Sequence, residues 1–238
     1  MMNKVRTLTV GFALGVLSVG LTPAQAADDK MEADQLVERA RLVIDTFAAE
    51  PKHGSFREHV QTAKALLVVP ESLRGAFIFG AQGGNGVVLA RDAKTGRWLG
   101  PTFVTLGGAN AGFQAGADTS EVIFVAMTDR GMTKLLSGTF KLGGDASVAA
   151  GPLSLGVGGA TAETSGDILV YGNSKGLYAG FSLDGSVVTV RDSLNRAFYG
   201  KDVSTTDVLV RGTTENPKAE PLLAAINKLT AAPAHARE

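Results

Sequence analysis

Glycine is crowded into the middle of this chain: 24 of its 30 glycines fall between Gly75 and Gly185, within a sequence of 238 residues. Glycine brings no side chain to a core and costs more entropy to order than any other residue. A block this rich in it therefore folds only where turns or close backbone approach need the missing Cβ. The chain is also 45% apolar, which separates the block from disordered low-complexity tracts. Short β-branched or aromatic runs lie between the glycines: Ala76–Phe79, Gly86–Ala90, Glu121–Ala126, Asp167–Tyr171 and Ser186–Val190. Ala93-Lys94-Thr95-Gly96 and Leu183-Asp184-Gly185-Ser186 read as hairpin tips, and Gly80–Gly86 as a further turn. The spacing is too short for helical crossovers, so the sheet is expected to be mostly antiparallel, sandwich or barrel-like. One short helix is expected near Gly131–Ser137. Leu-Gly-Gly recurs at Leu106 and Leu142, and Gly107, Gly108, Gly143 and Gly144 are expected to sit where a Cβ is poorly tolerated.

Helical patterns flank the block. Leu36, Val37, Ala40, Val43, Ile44 and Phe47 form one apolar stripe within Asp28–Lys64, and Ser55 can cap a shorter helix carrying Phe56, Val60 and Ala63. After Ser193 three helices are expected. Asp192 caps the first and Gly200 stops it; Ser204–Asp207 opens the second; Asn216-Pro217 opens the third, with Leu222, Leu223, Ile226 and Leu229 inward. The fold class is α+β: a glycine-rich sheet flanked by N- and C-terminal helices.

The N-terminus has its own logic. Lys4 and Arg6 precede an uncharged apolar run from Leu8 to Leu21, followed by Ala24-Gln25-Ala26, the pattern of a secretory signal peptide. The run is shorter than the roughly 20 residues a membrane span needs. Residues 1–26 are read as a cleaved signal peptide, 27–32 as a short extension, 33–230 as the folded domain and 231–238 as a tail. The exported chain would work in the periplasm or outside the cell. Without Lys4 and Arg6, 21 basic residues face 23 acidic ones, a net charge of −2. That balance lacks the basic footprint nucleic acid demands.

Catalytic signatures are absent from the sequence. No cysteine exists to serve as nucleophile or metal ligand, and His53, His59 and His235 are not at ligand spacing and read as surface groups. Phosphate-loop and nucleophile-elbow motifs are missing. Asp118, Glu121, Asp129, Asp145, Glu163 and Asp167 read as solvated turn carboxylates. Neither a cofactor nor a metal is expected, nor an enzymatic activity.

The ordered segments Ala65–Pro70, Gly75–Gly80, Gly83–Val88, Trp98, Gly107-Gly108, Gly112–Gly116, Leu142–Pro152, Ser174–Gly180 and Leu183–Ser186 closely resemble the SYLF domain family. The resemblance covers residues 33–230. It implies a lipid-binding domain: eukaryotic members bind phosphoinositide-rich membranes, yeast members also bind actin, and bacterial members are usually exported single domains. The expected function is non-catalytic binding of phospholipid headgroups at a membrane surface, the alternative a periplasmic structural or protein-interaction module. The expected partners are an anionic membrane and a protein. Such a site needs cations beside an apolar insertion element. Arg91, Lys94 and Arg97 flank the sole tryptophan, Trp98, a residue suited to the membrane interface or to a core. Lys134, Lys141, Lys175 and Lys201 are further cation candidates.

Overall fold

The computed structural model describes residues 23–50, 54–76, 79–111, 116–141, 148–150, 166–174 and 186–231. Helices α1 (Pro23–Ala49) and α2 (Gly54–Thr62) lead into strands β1 (Ala65–Ala76), β2 (Phe79–Arg91), β3 (Trp98–Ala111) and β4 (Gly116–Ala126). Helix α3 (Asp129–Leu136) precedes β5 (Thr139–Lys141), β6 (Val148–Ala150), β7 (Ile168–Ser174) and β8 (Val187–Val190). Helices α4 (Asp192–Tyr199), α5 (Thr205–Leu209) and α6 (Glu220–Thr230) follow, with a 3₁₀ turn at Pro217–Ala219. The strands form one curled, open sheet in the order β5-β8-β3-β2-β1-β4-β7-β6. Every described pairing is antiparallel except β6 with β7. The expected α+β class holds, as a single sheet rather than a two-sheet sandwich.

Both faces of the sheet carry buried residues. Leu66, Val68, Val87, Leu89, Phe103, Ile123, Val125, Leu169 and Tyr171 meet α1, α2, α4 and α6 on one side. Alternating with them, Leu67, Val69, Val88, Val104, Val122, Phe124, Ile168 and Val170 meet Leu135 of α3, Phe140 of β5 and Val208 and Leu209 of α5 on the other. This is why Leu66–Val69 and Val122–Ala126 read as unbroken apolar runs. The α1 stripe packs as its spacing predicts, with Leu36, Val37, Ala40, Val43, Ile44 and Phe47 all buried. α1 starts earlier than expected, at Pro23, but from Gln25 onward its first buried residue is Ala33.

The centre of the sheet departs from the expected strand breaks. Pro70 lies inside β1, a central strand, where it would remove a ladder donor. The register shows how it fits: Val68 pairs with Val87 but Glu71 with Asn85, and Val69 pairs with Val122 but Ser72 with Ser120, so one extra residue bulges past both neighbours. Opposite the bulge lie Gly84 and Gly86. A Cβ on Gly84 would sit 2.4 Å from the Glu71 carbonyl oxygen, and one on Gly86 would sit 2.7 Å from that of Val68. The Gly80–Gly86 cluster is thus strand, not turn. The expected Ala76–Phe79 run is not one strand: Ala76 ends β1 and pairs with Gly80, Phe79 begins β2, and residues 77–78 lie outside the described residues. A Cβ added to Gly107 would meet nothing within 4 Å, so this glycine does not carry the crowding expected of it. Gly143 and Gly144 lie outside the described residues, as does the Leu183–Gly185 tip.

The C-terminal helices finish the sheet edge. β8 covers β3 only from Val104 to Gly107. Beyond it, the Phe103 amide donates to Asn195 Oδ1 at 3.0 Å, and the Arg191 amide donates to the Phe103 carbonyl at 2.8 Å. Asn195 is buried and acts as a surrogate strand. Asp192 is the first residue of α4 rather than its cap, while Gly200 stops that helix at φ +69°. Ser204 and Asp207 form a capping box on α5.

Candidate functional site

Ala65 pairs with both Ala90 and Ala126, so Lys64, Arg91 and the start of α3 lie at one end of the sheet. The β2–β3 hairpin projects from this end. Its tip is a closed loop: the Asp92 amide donates to Arg97 O and the Gly96 amide to Asp92 O, both at 2.8 Å. The Asp92 carboxylate accepts the Lys94 amide at 3.0 Å and the Thr95 hydroxyl at 2.6 Å. These bonds, that from Thr95 above all, hold its pKa below the usual carboxylate value. Gly96 takes φ +71° to close the turn. Ala93, Lys94 and Thr95 are left exposed at the apex.

The predicted cations separate into distinct roles. Arg91 is a fastener, donating to Gln61 O at 2.7 Å and Gly96 O at 3.1 Å, which ties the hairpin to the end of α2. Arg97 is 72% exposed and 3.9 Å from an equally exposed Glu215, a pair that contributes little in water. Lys134 occupies the last turn of α3, whose first residues lie at the same end. Lys141 is not part of the group: it pairs with Val187, which pairs with Gly107, about 30 Å along β3 from Trp98. Lys175 lies outside the described residues, and Lys201 is exposed in the α4–α5 connection.

Two further cations join the end. Lys64 Nζ lies 2.6 Å from Asp129 Oδ1, and Arg130 Nε lies 3.8 Å from Asp167 Oδ2. Lys64 immediately precedes β1 and Arg130 follows β4, so their strand-boundary positions were the available signal. A cleft of about 380 Å³ opens between the hairpin, α2 and α3, lined by Thr62, Lys64, Arg91, Gly96, Asp129 and Met132.

Trp98 takes the core role. It is 2% exposed, packed with the helix-side cluster, and its Nε1–H donates to Thr230 Oγ1 at 3.3 Å. A membrane cannot reach that ring while the fold is intact. Tryptophan emission from the native chain is therefore expected to be blue-shifted already and unmoved by anionic vesicles, with a red-shifted native spectrum contradicting this placement.

The other candidate chemistry resolves into structure. His59 is half-buried, not a surface group, and its Nδ1 bonds the Tyr171 hydroxyl; Phe56 stacks edge-on against the same ring at 5.3 Å. Burial pushes the Tyr171 hydroxyl up to about 12. Asp129 and Asp167 serve cations, and Asp167 also accepts the Thr128 hydroxyl at 2.7 Å. His53, Asp145 and Glu163 lie outside the described residues. Among the described residues no cluster of three or more ligating side chains could hold a metal, and no helix is long and apolar enough to cross a membrane.

Comparison with known proteins places these features in context. Residues 107–229 match the family model Ysc84, described as Las17-binding protein actin regulator. Protein YSC84 of Saccharomyces cerevisiae is 33% identical over 168 residues, 69% of this chain and 36% of that protein. The rat SH3 domain-containing YSC84-like protein 1 is 33% identical over 174 residues, 72% of this chain and 51% of its own length. LAS seventeen-binding protein 3 of Saccharomyces cerevisiae is 33% identical over 167 residues, 68% and 36% respectively. The chain thus spans between about a third and a half of the curated relatives it matches. No solved structure matches it.

Proposed function

Because this chain belongs to the Ysc84, or SYLF, family, we propose that it is an exported, non-catalytic binding protein that docks on anionic lipid surfaces through the hairpin end of its sheet. The observation that carries this reading is the strand register. It gathers Lys64, Arg91, Lys94, Arg97 and Arg130 at one end, although the mature chain as a whole is slightly acidic. Each lysine or arginine near an anionic membrane contributes on the order of 1 kcal/mol. Asp92, Asp129, Asp167 and Glu215 share this end and offset part of that attraction. Export is supported by the signal pattern, and of the described residues cleavage after Ala26 removes only Pro23–Ala26, ahead of the buried Ala33. The relatives' names speak of Las17 and actin, and for this chain a protein partner is the alternative reading.

Co-sedimentation with vesicles tests the membrane reading. Vesicles containing phosphatidylglycerol should pull down the chain and purely zwitterionic ones should not, with binding falling as salt shortens the Debye length to about 8 Å at physiological strength. Replacing Lys94, Arg97 and Arg130 with glutamine should weaken binding roughly a hundredfold, at about 1 kcal/mol for each charge. Arg91 is left in place because its bonds to Gln61 and Gly96 are structural. Salt-insensitive binding, or full binding by the triple variant, refutes the site.

A further inference from the structure

With Trp98 buried, the cationic end of the sheet lacks the apolar element that this ring was expected to supply. The turn after α5 supplies one. Leu209 packs against Gly100, where an added Cβ would lie 3.1 Å from the leucine Cδ2. Gly212, at φ +60°, approaches Leu99 in the same way, its added Cβ 3.2 Å from Leu99 Cδ2. Gly100 is three residues along β3 from Arg97, about 10 Å. Glu215 faces Arg97, and a cleft of about 170 Å³ separates the turn from the base of the hairpin. The turn therefore stands beside the hairpin. Between its two packed residues, Val210 and Arg211 are left in water, 52% and 64% exposed.

A single exposed apolar side chain needs no explanation by itself. The placement of Val210 is what counts. Four other large apolar side chains are exposed among the described residues, and all lie far from the hairpin. Met31 precedes Glu32, which accepts from Asn85, about 20 Å along β2 from Arg91. Leu42 lies against Pro70 and Glu71, about 20 Å along β1 from Lys64, and Leu73 is farther still. Val187 pairs with Gly107, about 30 Å from Trp98. Among these side chains only Val210 stands at the end that holds Lys94, Arg97 and Arg130, since α3, which carries Arg130, packs on the same face as α5.

The turn is held in shape by its backbone. The Val210 amide donates to Thr206 O at 3.1 Å, the Arg211 amide to the same oxygen at 3.0 Å, and the Thr213 amide to Asp207 O at 3.1 Å. Arg211 is paired with Asp207 at 2.8 Å, as Arg97 is with Glu215, so the turn adds apolar area rather than net charge. Binding to a bilayer surface grows with the apolar area buried as well as with attraction to anionic lipid, and a preformed turn offers that area at little ordering cost. Given the membrane reading, on which this depends, we infer that Val210 is the apolar contact of the docking surface. It enters the boundary between headgroups and acyl chains while the hairpin cations meet the phosphates.

The test is co-sedimentation of the full chain with mixed phosphatidylglycerol and phosphatidylcholine vesicles. Val210→Ser should weaken binding about fourfold, the size expected when a half-exposed valine no longer leaves water. Val210→Leu should strengthen it. The salt dependence should not change, because no charge is altered. The serine variant keeps the amide bond to Thr206 and should melt like the native chain. Leu42→Ser, exposed but far from the hairpin, should bind as the native chain does. Val210→Ser that binds as tightly as the native chain overturns the inference; if Lys94→Gln with Arg97→Gln and Arg130→Gln still weakens binding, the membrane reading stands without it. An equal loss in Leu42→Ser also overturns it, because apolar contact would then not belong to this turn. A native chain that binds no vesicle brings down the membrane reading and the role of Val210 together.

Discussion

Trp98→Ala is expected to lower the stability of the chain by about 3–5 kcal/mol, the range for deleting a large buried aromatic side chain. The indole is at the first residue of β3, yet it packs with the cluster that joins α1, α2, α4 and α6 to the sheet. Removing it opens a void where the two ends of the chain meet, and it strips Thr230 of its ring donor. Trp98→Phe keeps much of the volume and should cost less. Since this is the sole tryptophan, urea unfolding is best followed by far-ultraviolet circular dichroism. A variant that unfolds at the native midpoint would return Trp98 to the surface. Whatever fraction of Trp98→Ala remains folded should still bind anionic vesicles, because the ring does not face them.

Valine at Gly84 or Gly86 is expected to cost about 1–3 kcal/mol at each site, the usual penalty for overpacking. For a domain of this size each kcal/mol lowers Tm by roughly 2–4 °C. The obstruction is backbone, the carbonyl oxygens of Glu71 and Val68, and cannot rotate away as a side chain could. Gly107→Val, on the neighbouring strand, should melt close to the native chain because its Cβ meets open space. Equal losses at all three positions would mean that glycine is needed for general sheet packing, not for passage of the Pro70 bulge.

These two cases also mark what the sequence makes legible. The α1 stripe, the Ala93–Gly96 tip, the caps at Ser204 and Asn216 and the stop at Gly200 are local patterns, and the structure follows them. A proline normally ends a central strand; the tolerance of Pro70 depends on glycines some 15 residues away on a paired strand, a register fact that no local window contains. Trp98 stays open between interface and core in the sequence for the same reason, since its partner Thr230 is 132 residues distant. At the candidate site the hairpin cations were visible together, but not the separation between Arg91, spent on carbonyls, and Arg97, open to solvent. Lys64 and Arg130 join them only through the pairing of β1 with β2 and β4. Lys141 looked equivalent in sequence and belongs elsewhere in the sheet.

The most direct test of the hairpin end exploits the absence of cysteine. A single cysteine is placed either at Ala93, exposed at the hairpin apex, or at Leu73, exposed about 30 Å along β1 from Lys64, and carries an environment-sensitive fluorophore. On addition of phosphatidylglycerol vesicles the label at Ala93 should shift to the blue and recover in high salt, while the label at Leu73 stays unchanged. A response at Leu73 with silence at Ala93 would place the membrane at the wrong pole of the sheet. Silence at both positions would contradict membrane docking altogether.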